Sequence, residues 1–255
     1  MSRARGPLDP LWRASLLQVI ARGFHYPADA EHAGQMCAAL AGLTSPPPAG
    51  LPAVLKNAIR QVQEHWGAVH TEDGLASAYS QLFLNNALCS MYETAYSGPG
   101  GVAGRTHEIA DISGFYLAFG LRSSDVEADR PDHLCAELEF LSILLLKWVH
   151  AREQAWNDRG KITVKAIKSF LTDHLGRWYG AFAMRLGEQE APAVYHALAA
   201  LLVHALDAEC RAWNVQPLPM TGEIAHDSMQ EDQLICPKAA AEAEGGDTAS
   251  ACMPM

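Results

Sequence analysis

The chain has 255 residues, of which 49% are hydrophobic, so it can bury a sizeable core in one large domain or two small ones. Its net charge of −10 argues against nucleic acid as the partner, because phosphate binding needs basic surfaces, and favours a basic partner or plain solubility. Six cysteines without a C-x-x-C pair speak against a zinc ribbon or thioredoxin-like motif and predict a reduced, cytoplasmic protein.

Apolar residues recur with helical spacing through the first half of the chain. The pattern predicts four helices, at residues 10–23, 28–43, 51–66 and 72–85. Pro27 ends the first helix, and a proline-rich break at residues 45–50 separates the second from the third.

The second half of the chain predicts four more helices around two irregular segments. Residues 97–104 are glycine-rich and predict a flexible loop, and a helix follows from Thr106 to Phe119, with Gly120 as its C-cap. After an acidic linker at residues 123–130, a long helix starts at Pro131, a residue suited to a first turn, and runs to about residue 153. The last two helices are predicted at residues 163–186 and 193–212.

No run of alternating strand residues interrupts this pattern. We therefore predict an all-α, single-domain helical bundle of about eight helices over residues 1–213. Residues 214–255 are rich in Ala and Gly and carry seven acidic residues, and they predict a disordered C-terminal tail. The longest apolar runs are too short to span a bilayer, so no stable membrane insertion is expected.

Four ionisable groups crowd the start of the long helix: Asp132, His133, Glu137 and Glu139. Asp132 and Glu139 are seven residues apart and would share a helix face, whereas His133 and Glu137 are four apart and would touch. Two interpretations stay open: a half-polar groove lined by carboxylates, or helix capping with a His–Glu surface pair.

One motif points to an alternative function. His107-Glu108-Ile109-Ala110-Asp111 resembles the H-E-x-x-H helix of zinc proteases, with Asp in the last place. Together with His133 it gives the alternative of a helical metal-dependent hydrolase. The competing interpretation is an ordinary first turn of a helix with a favourable acidic residue.

Five separated segments resemble, in order, the TorD/DmsD/NarJ-type chaperone family of redox enzyme maturation proteins. They are Tyr79-Ser80-Gln81-Leu82-Phe83, Met91-Tyr92-Glu93-Thr94, residues 109–120, Asp129-Arg130-Pro131-Asp132-His133-Leu134 continuing to Phe140, and Phe170 to Trp178 with its His-Leu-x-x-Trp ending. The glycine-rich segment before the third match looks closest to the branch serving dimethylsulfide and ethylbenzene dehydrogenases and selenate reductases. Met91 stands where the family often has proline.

The resemblance implies a TorD-like helical fold and a cytoplasmic assembly chaperone that is not an enzyme. Such a protein binds the apo catalytic subunit of a molybdopterin oxidoreductase, often with its twin-arginine leader. It assists insertion of bis-molybdopterin guanine dinucleotide into that client before export, and it retains no metal or cofactor itself. Monomer and domain-swapped dimer are both compatible with it.

A leader that is basic at one end and apolar in the middle needs a surface that combines carboxylates with apolar groups. The residues predicted to form or support that surface are Tyr79, Phe83, Tyr92, Glu93, Asp132, His133, Glu137 and Phe140. For the aromatic residues the alternative is core packing, and for His133 it is a hydrogen bond that locks the preceding loop onto the helix.

Overall fold

The computed structural model describes residues 8–68, 72–84, 88–98, 101–121 and 130–221. These residues form nine α-helices and no β-strand, which confirms the all-α prediction for this part of the chain. The helices are α1 (Pro10–Gly23), α2 (Ala30–Thr44), α3 (Ala53–Ala68), α4 (Glu72–Tyr79), α5 (Gly101–Ala118), α6 (Leu134–Glu153), α7 (Asn157–Asp173), α8 (Leu175–Gly187) and α9 (Ala193–Trp213). A π-turn at Ser80–Leu84 continues α4, and a 3₁₀ turn lies at Glu93–Ala95.

Helices α6 and α9 form the centre of the bundle. α6 packs between α1 and α7, and α9 packs against α3 and α8. The middle of α6 is apolar almost all round, as expected for a helix covered on several sides, and Leu138, Leu141, Leu144 and Leu145 are fully buried. Each such leucine contributes about 1.5–3 kcal/mol through burial. α9 is the one described helix that is long and apolar enough to cross a membrane, but 61% of its apolar window is buried in this core.

Several helices begin or end within two residues of the predicted positions. Asp9 and Asp29 cap α1 and α2 by accepting hydrogen bonds from Leu11 N (3.1 Å) and His32 N (2.8 Å). Gly120 has a φ of +77° and donates its N–H to Leu117 O, so it ends α5 as predicted.

Three predicted boundaries were wrong. α5 already begins at Gly101, so the end of the glycine-rich segment is helical. α6 begins at Leu134 rather than Pro131, because Asp132 O and Leu134 N form hydrogen bonds with the segment before α5. The helix predicted at residues 163–186 is two helices, α7 and α8, which are separated at His174 (φ −127°, ψ −108°).

The start of the predicted tail lies against the bundle. Val215 N donates to Cys210 O (3.0 Å), and Met220 N donates to Arg177 O (2.8 Å). A Cβ atom on Gly176 would lie 2.7 Å from Pro217 Cγ, so glycine permits this close approach. Val215, Pro217 and Met220 therefore lie against the bundle, while residues 222–255 and all of the predicted linker at residues 123–130 except Arg130 lie outside the described residues.

Candidate functional site

A two-residue bridge joins the segment before α5 to the start of α6. Tyr92 and His133 pair in antiparallel fashion: Glu93 N donates to Asp132 O (2.9 Å), and Leu134 N donates to Met91 O (2.8 Å). His133 then caps α6, since its Nδ1 accepts a hydrogen bond from Cys135 N (3.3 Å). The bridge places the side chains of residues 92–94 beside those of residues 130–137.

Asp132 is fully buried and is the main acceptor behind the bridge. Its Oδ2 accepts hydrogen bonds from Thr94 Oγ1 (2.7 Å) and Thr94 N (3.3 Å). Arg130 reaches both carboxylate oxygens, with distances of 3.0 Å to Oδ1 and 2.8 Å to Oδ2. The Arg130 guanidinium also lies 4.6 Å from the centre of the Tyr92 ring. Asp132 therefore binds both Thr94 and Arg130 and connects the segment before α5 to the residues just before α6.

His174 connects the interior to the surface. Its Nδ1 lies 3.3 Å from Glu93 Oε1, and its Nε2 lies 3.2 Å from Asp111 Oδ2. Because both ring nitrogens face carboxylate oxygens, an imidazolium that donates from both satisfies this geometry. Burial by itself lowers the pKa of His174, but the two carboxylates outweigh burial and raise it.

Glu137 lies in the first turn of α6 and is fully buried. Its Oε2 accepts a hydrogen bond from Trp178 Nε1 (3.1 Å). Burial raises its pKa well above the ordinary range, and the nearby Glu93 carboxylate raises it further. The two carboxyl groups are within hydrogen-bonding reach, and Glu93 Oε2 and Glu137 Oε1 find no N–H or neutral O–H donor in the described part of the chain. A proton on Glu137, donated to Glu93, satisfies both oxygens.

A polar cavity of about 380 Å³ opens over His174. α5 contributes Arg105, Glu108 and Asp111 to its lining, and the α7–α8 junction contributes Asp173 and Arg177. Ser97 at its edge donates a 2.5 Å hydrogen bond to Glu108 Oε2. The His174 ring thus lies between the solvent-facing Asp111 carboxylate and the buried Glu93 carboxyl group.

The structure places seven of the eight predicted site residues in the interior. Asp132, His133, Glu93 and Glu137 are buried behind the bridge, and Tyr92 is half-buried. Phe140 packs on Tyr116 and Phe170, with ring centres 4.7 and 4.8 Å away. Tyr79 and Phe83 belong to an aromatic cluster with Phe24, Phe182 and Tyr195, and the Tyr79 hydroxyl lies 3.7 Å from Met91 Sδ.

The predicted carboxylate groove does not form. Asp132 precedes the helix, so it does not share a face with Glu139, which is exposed and lies 3.2 Å from His25 Nε2. The predicted His133–Glu137 side-chain contact is also wrong, because the Glu137 carboxyl points to Trp178. The alternative interpretation of His133, as a hydrogen bond that locks the loop onto the helix, agrees with its capping of α6.

Three of the four residues of the hydrolase alternative, His107, Glu108 and Asp111, line the cavity over His174, but His133 does not join them. Glu108 accepts from Ser97 and Asp111 faces His174, while His133 is buried at the α6 N-terminus. No group of three or more His, Cys, Asp or Glu is arranged to hold a metal ion in the parts of the chain described above.

Five residues of the site were not predicted as part of it: Thr94, Asp111, Arg130, His174 and Trp178. His174 and Trp178 stand four residues apart in the His-Leu-x-x-Trp segment, so their spacing on a helix was available as a signal. Nothing in the local sequence pairs Asp111 with His174, which is 63 residues away.

Comparison with known proteins gives a family match and two similar sequences. The model of the family described as nitrate reductase delta subunit matches residues 48–184, more than half of the chain. The chain is 35% identical over 83 residues to the selenate reductase assembly chaperone protein of Thauera selenatis, covering 32% of this chain and 42% of the relative. It is 34% identical over 87 residues to the chlorate reductase assembly chaperone protein of Ideonella dechloratans, covering 34% of this chain and 44% of the relative. The chain thus spans less than half the length of these curated relatives.

A solved structure described as a redox enzyme maturation protein from Archaeoglobus fulgidus also aligns with this fold. The alignment covers 75% of this chain and 93% of the other, with 21% sequence identity and a TM-score of 0.48.

Proposed function

The chain belongs to the nitrate reductase delta subunit family, and from this membership we propose that it is an assembly chaperone for the catalytic subunit of a molybdopterin oxidoreductase. The observation that carries the proposal is the similarity to two relatives that are named assembly chaperones, for selenate reductase and chlorate reductase. Neither relative is named as an enzyme, in agreement with the expectation that the chain is not one.

The finer part of the proposal concerns the client's state. The chaperone binds the apo catalytic subunit in the cytoplasm, together with its twin-arginine leader, until bis-molybdopterin guanine dinucleotide has been inserted. It retains no metal or cofactor itself. The family resemblance supports this sequence of events. The helical body offers a scaffold that binds a partner peptide without a chemical reaction.

The geometry supports different roles for the buried and the exposed residues of the site. Asp132 fixes the bridge. The buried Glu93 and Glu137 carboxyl groups contact His174 and Trp178, respectively. We therefore assign these three acidic residues a supporting role rather than direct contact with a client. The residues that a leader reaches are the half-buried Tyr92 and the carboxylates of the cavity, above all Asp111, whose side chain is 61% exposed. Exposed carboxylates attract the basic end of a leader and speed its encounter with the chaperone.

Binding of a defined client tests this proposal. The probes are the purified apo catalytic subunit of the molybdopterin oxidoreductase encoded nearest to this gene and a synthetic peptide of its leader, titrated by calorimetry. Asp111→Asn is expected to weaken leader binding about five- to tenfold, and more at low salt, since an opposite charge at the rim of an interface acts through long-range attraction. Asp158→Asn, at a carboxylate on α7 whose side chain is 93% exposed, is the control and leaves binding unchanged.

The interior residues give a second arm. Asp132→Asn weakens binding of both probes while helicity by circular dichroism stays at the wild-type level, because the bridge loosens and the bundle remains. Undiminished binding by Asp111→Asn and Asp132→Asn would overturn the proposed site. Failure of the wild-type protein to bind the apo subunit would overturn the chaperone role for that client.

The family description as a delta subunit favours one rival, a permanent subunit of the mature enzyme. Purification of the mature, cofactor-loaded enzyme separates the two roles. A chaperone is absent from that preparation and present on the apo form, whereas a structural subunit stays in equal amount with the mature enzyme.

A further inference from the structure

Basic side chains are concentrated at the end of the bundle where α6 meets α7. Residues 147–168 hold six of the 19 Lys and Arg residues and only two acidic residues, so this segment has a net charge of +4 in a chain of net charge −10. All six basic residues are exposed: Lys147, Arg152, Arg159, Lys161, Lys165 and Lys168.

Two tryptophans lie among these cations. The Arg159 guanidinium lies 4.3 Å from the centre of the Trp156 ring, and the Arg152 guanidinium lies 4.9 Å from that of Trp148. Together with Gly160, the tryptophans border a cavity of about 600 Å³ between the end of α6 and the start of α7. A Cβ atom on Gly160 would meet only Ala151 Cβ, at 4.0 Å, so the glycine leaves this surface open.

Large apolar side chains next to the lysines face solvent. Trp156 is 42% exposed, Leu146 39% and Ile162 62%. Tryptophan has a polar N–H on an apolar ring and favours the boundary between water and lipid, while lysine and arginine keep their charges in water as their stems cover apolar surface. Exposed Trp and Ile framed by basic residues are the combination found on surfaces that lie on a bilayer.

We propose that this basic aromatic surface, residues 147–168, docks the protein reversibly on an anionic lipid membrane. The apolar Ile162 and Trp156 enter the headgroup region, and the surrounding Lys and Arg contact lipid phosphates. The docking is peripheral and uses a different surface from the cavity over His174, so it does not depend on the proposed client.

Charge complementarity favours this partner despite the acidic protein. At physiological ionic strength, charges beyond about 8 Å are largely screened, so the local charge of the docking surface decides the interaction. Within residues 147–168 the opposing charges are those of Glu153 and Asp158, and Asp158 is neutralised in part by Lys161, 3.3 Å away. An acidic protein surface would satisfy the lysines but would leave the exposed Ile162 without a comparable apolar environment.

Vesicle binding by the full chain tests the proposal. Wild-type protein is expected to sediment with vesicles of phosphatidylcholine mixed with phosphatidylglycerol and not with phosphatidylcholine alone, and added salt is expected to release it. Binding shifts tryptophan fluorescence to the blue, and Trp156→Phe removes most of that shift while sedimentation persists.

Charge reversal locates the surface. Each basic side chain near an anionic membrane is worth roughly fivefold in affinity, so Lys161→Glu/Lys165→Glu is expected to weaken vesicle binding by at least about thirtyfold. The control Lys56→Glu/Arg60→Glu changes two exposed cations of α3 and gives the same net charge. Equal losses in the two variants, or no preference of the wild type for phosphatidylglycerol, would overturn the proposal.

Discussion

Two buried centres with ionised groups stabilise this bundle in different ways. Between α1 and α9, Arg13 donates to both oxygens of Glu209, through Nε at 2.7 Å and through Nη2, and Trp213 Nε1 adds a hydrogen bond at 3.1 Å. One cation faces one anion, and each carboxylate oxygen has a donor. Behind the Tyr92–His133 bridge, in contrast, the acidic groups outnumber the cations, and Glu93 Oε2 and Glu137 Oε1 have no hydrogen-bond partner among the described residues.

The difference separates a structural ion pair from a centre with adjustable charge. A buried charge is tolerated when it is paired and hydrogen-bonded, and an excess charge is removed by taking up a proton. The Arg13–Glu209 pair needs no proton exchange to stay satisfied. Behind the bridge, Glu93 interacts with both His174 and Glu137, so the hydrogen bonds of this centre change with protonation, and its outer end at Asp111 reaches solvent.

The largest effect on stability is expected at the buried Arg13–Glu209 ion pair. Arg13→Met leaves Glu209 buried without its cation and is expected to lower the free energy of unfolding by about 3–5 kcal/mol. Urea unfolding followed by circular dichroism measures the loss. The double variant Arg13→Met/Glu209→Leu is the control and recovers most of it, because no buried charge is left unpaired. A loss below about 1 kcal/mol in the single variant would contradict a buried structural pair.

The next largest effect on stability is expected at Asp132, behind the Tyr92–His133 bridge. Asp132→Ala removes the acceptor of Thr94 Oγ1 and Thr94 N and is expected to cost about 2–3 kcal/mol, because two buried donors lose their partner. Arg130→Ala is expected to cost only about 1 kcal/mol, since its side chain is 47% exposed, water takes the place of the guanidinium, and Asp132 keeps its two hydrogen bonds from Thr94. Chemical denaturation of both variants ranks them, and a larger loss for Arg130→Ala would reverse the assigned roles.

The helices could be predicted where local residues determine their ends. Asp9 before Pro10, the prolines after Ser45 and Gly120 act through their own backbone or side chain, so the sequence signals them. The break at His174 has no such signal. It coincides with contacts to Glu93 and Asp111, which are 81 and 63 residues away, and local periodicity contains no information on partners at that distance.

The candidate site, too, could be predicted only in part from the local sequence. The unusual number of ionisable groups near Asp132 indicated the right region, but the direction of each side chain depended on the helix start. Placing that start at Pro131 put Asp132 and Glu139 on one face. The observed start at Leu134 moves Asp132 into the bridge and turns Glu137 toward Trp178, so the predicted surface became an interior.

Replacing the ionisable group of Glu137 is expected to have a moderate effect on stability, and here the effect is stabilising. Burial raises its folded-state pKa above the ordinary value of 4.5, so its stabilising contribution is full below about pH 4.5 and is lost as pH rises through the raised value. Glu137→Gln keeps an acceptor for Trp178 and a donor for Glu93 but has no proton to lose. We therefore expect the variant to be more stable than wild type at neutral pH, by about 1 kcal/mol, and to show a flatter pH dependence.

Urea unfolding from pH 4 to 8 in small steps, a range that starts below the ordinary value of 4.5, measures this difference. Glu139→Gln is the matched control, because that carboxylate is exposed on the same helix. Equal pH profiles for wild type and Glu137→Gln would mean that the bridge centre holds no proton at Glu137, and its contrast with the Arg13–Glu209 pair would disappear.

His174 is expected to give the smallest effect, and it tests the link from the bridge centre to solvent. The carboxylates of Glu93 and Asp111 raise its folded-state pKa above 6.5, so the contribution of its charged form is present below about pH 6.5 and is lost as pH rises through the raised value. Asp111→Asn removes the solvent-side carboxylate, and an NMR titration of the His174 ring is expected to show a lower pKa, with a stability loss of about 0.5–1 kcal/mol below pH 6.5. Asp173→Asn, at an exposed neighbour that forms no hydrogen bond to the ring, is expected to shift it less. If Asp111→Asn left the His174 titration unchanged, the charge of the interior would be set by Glu93 alone, and the cavity would have no electrostatic connection to the bridge.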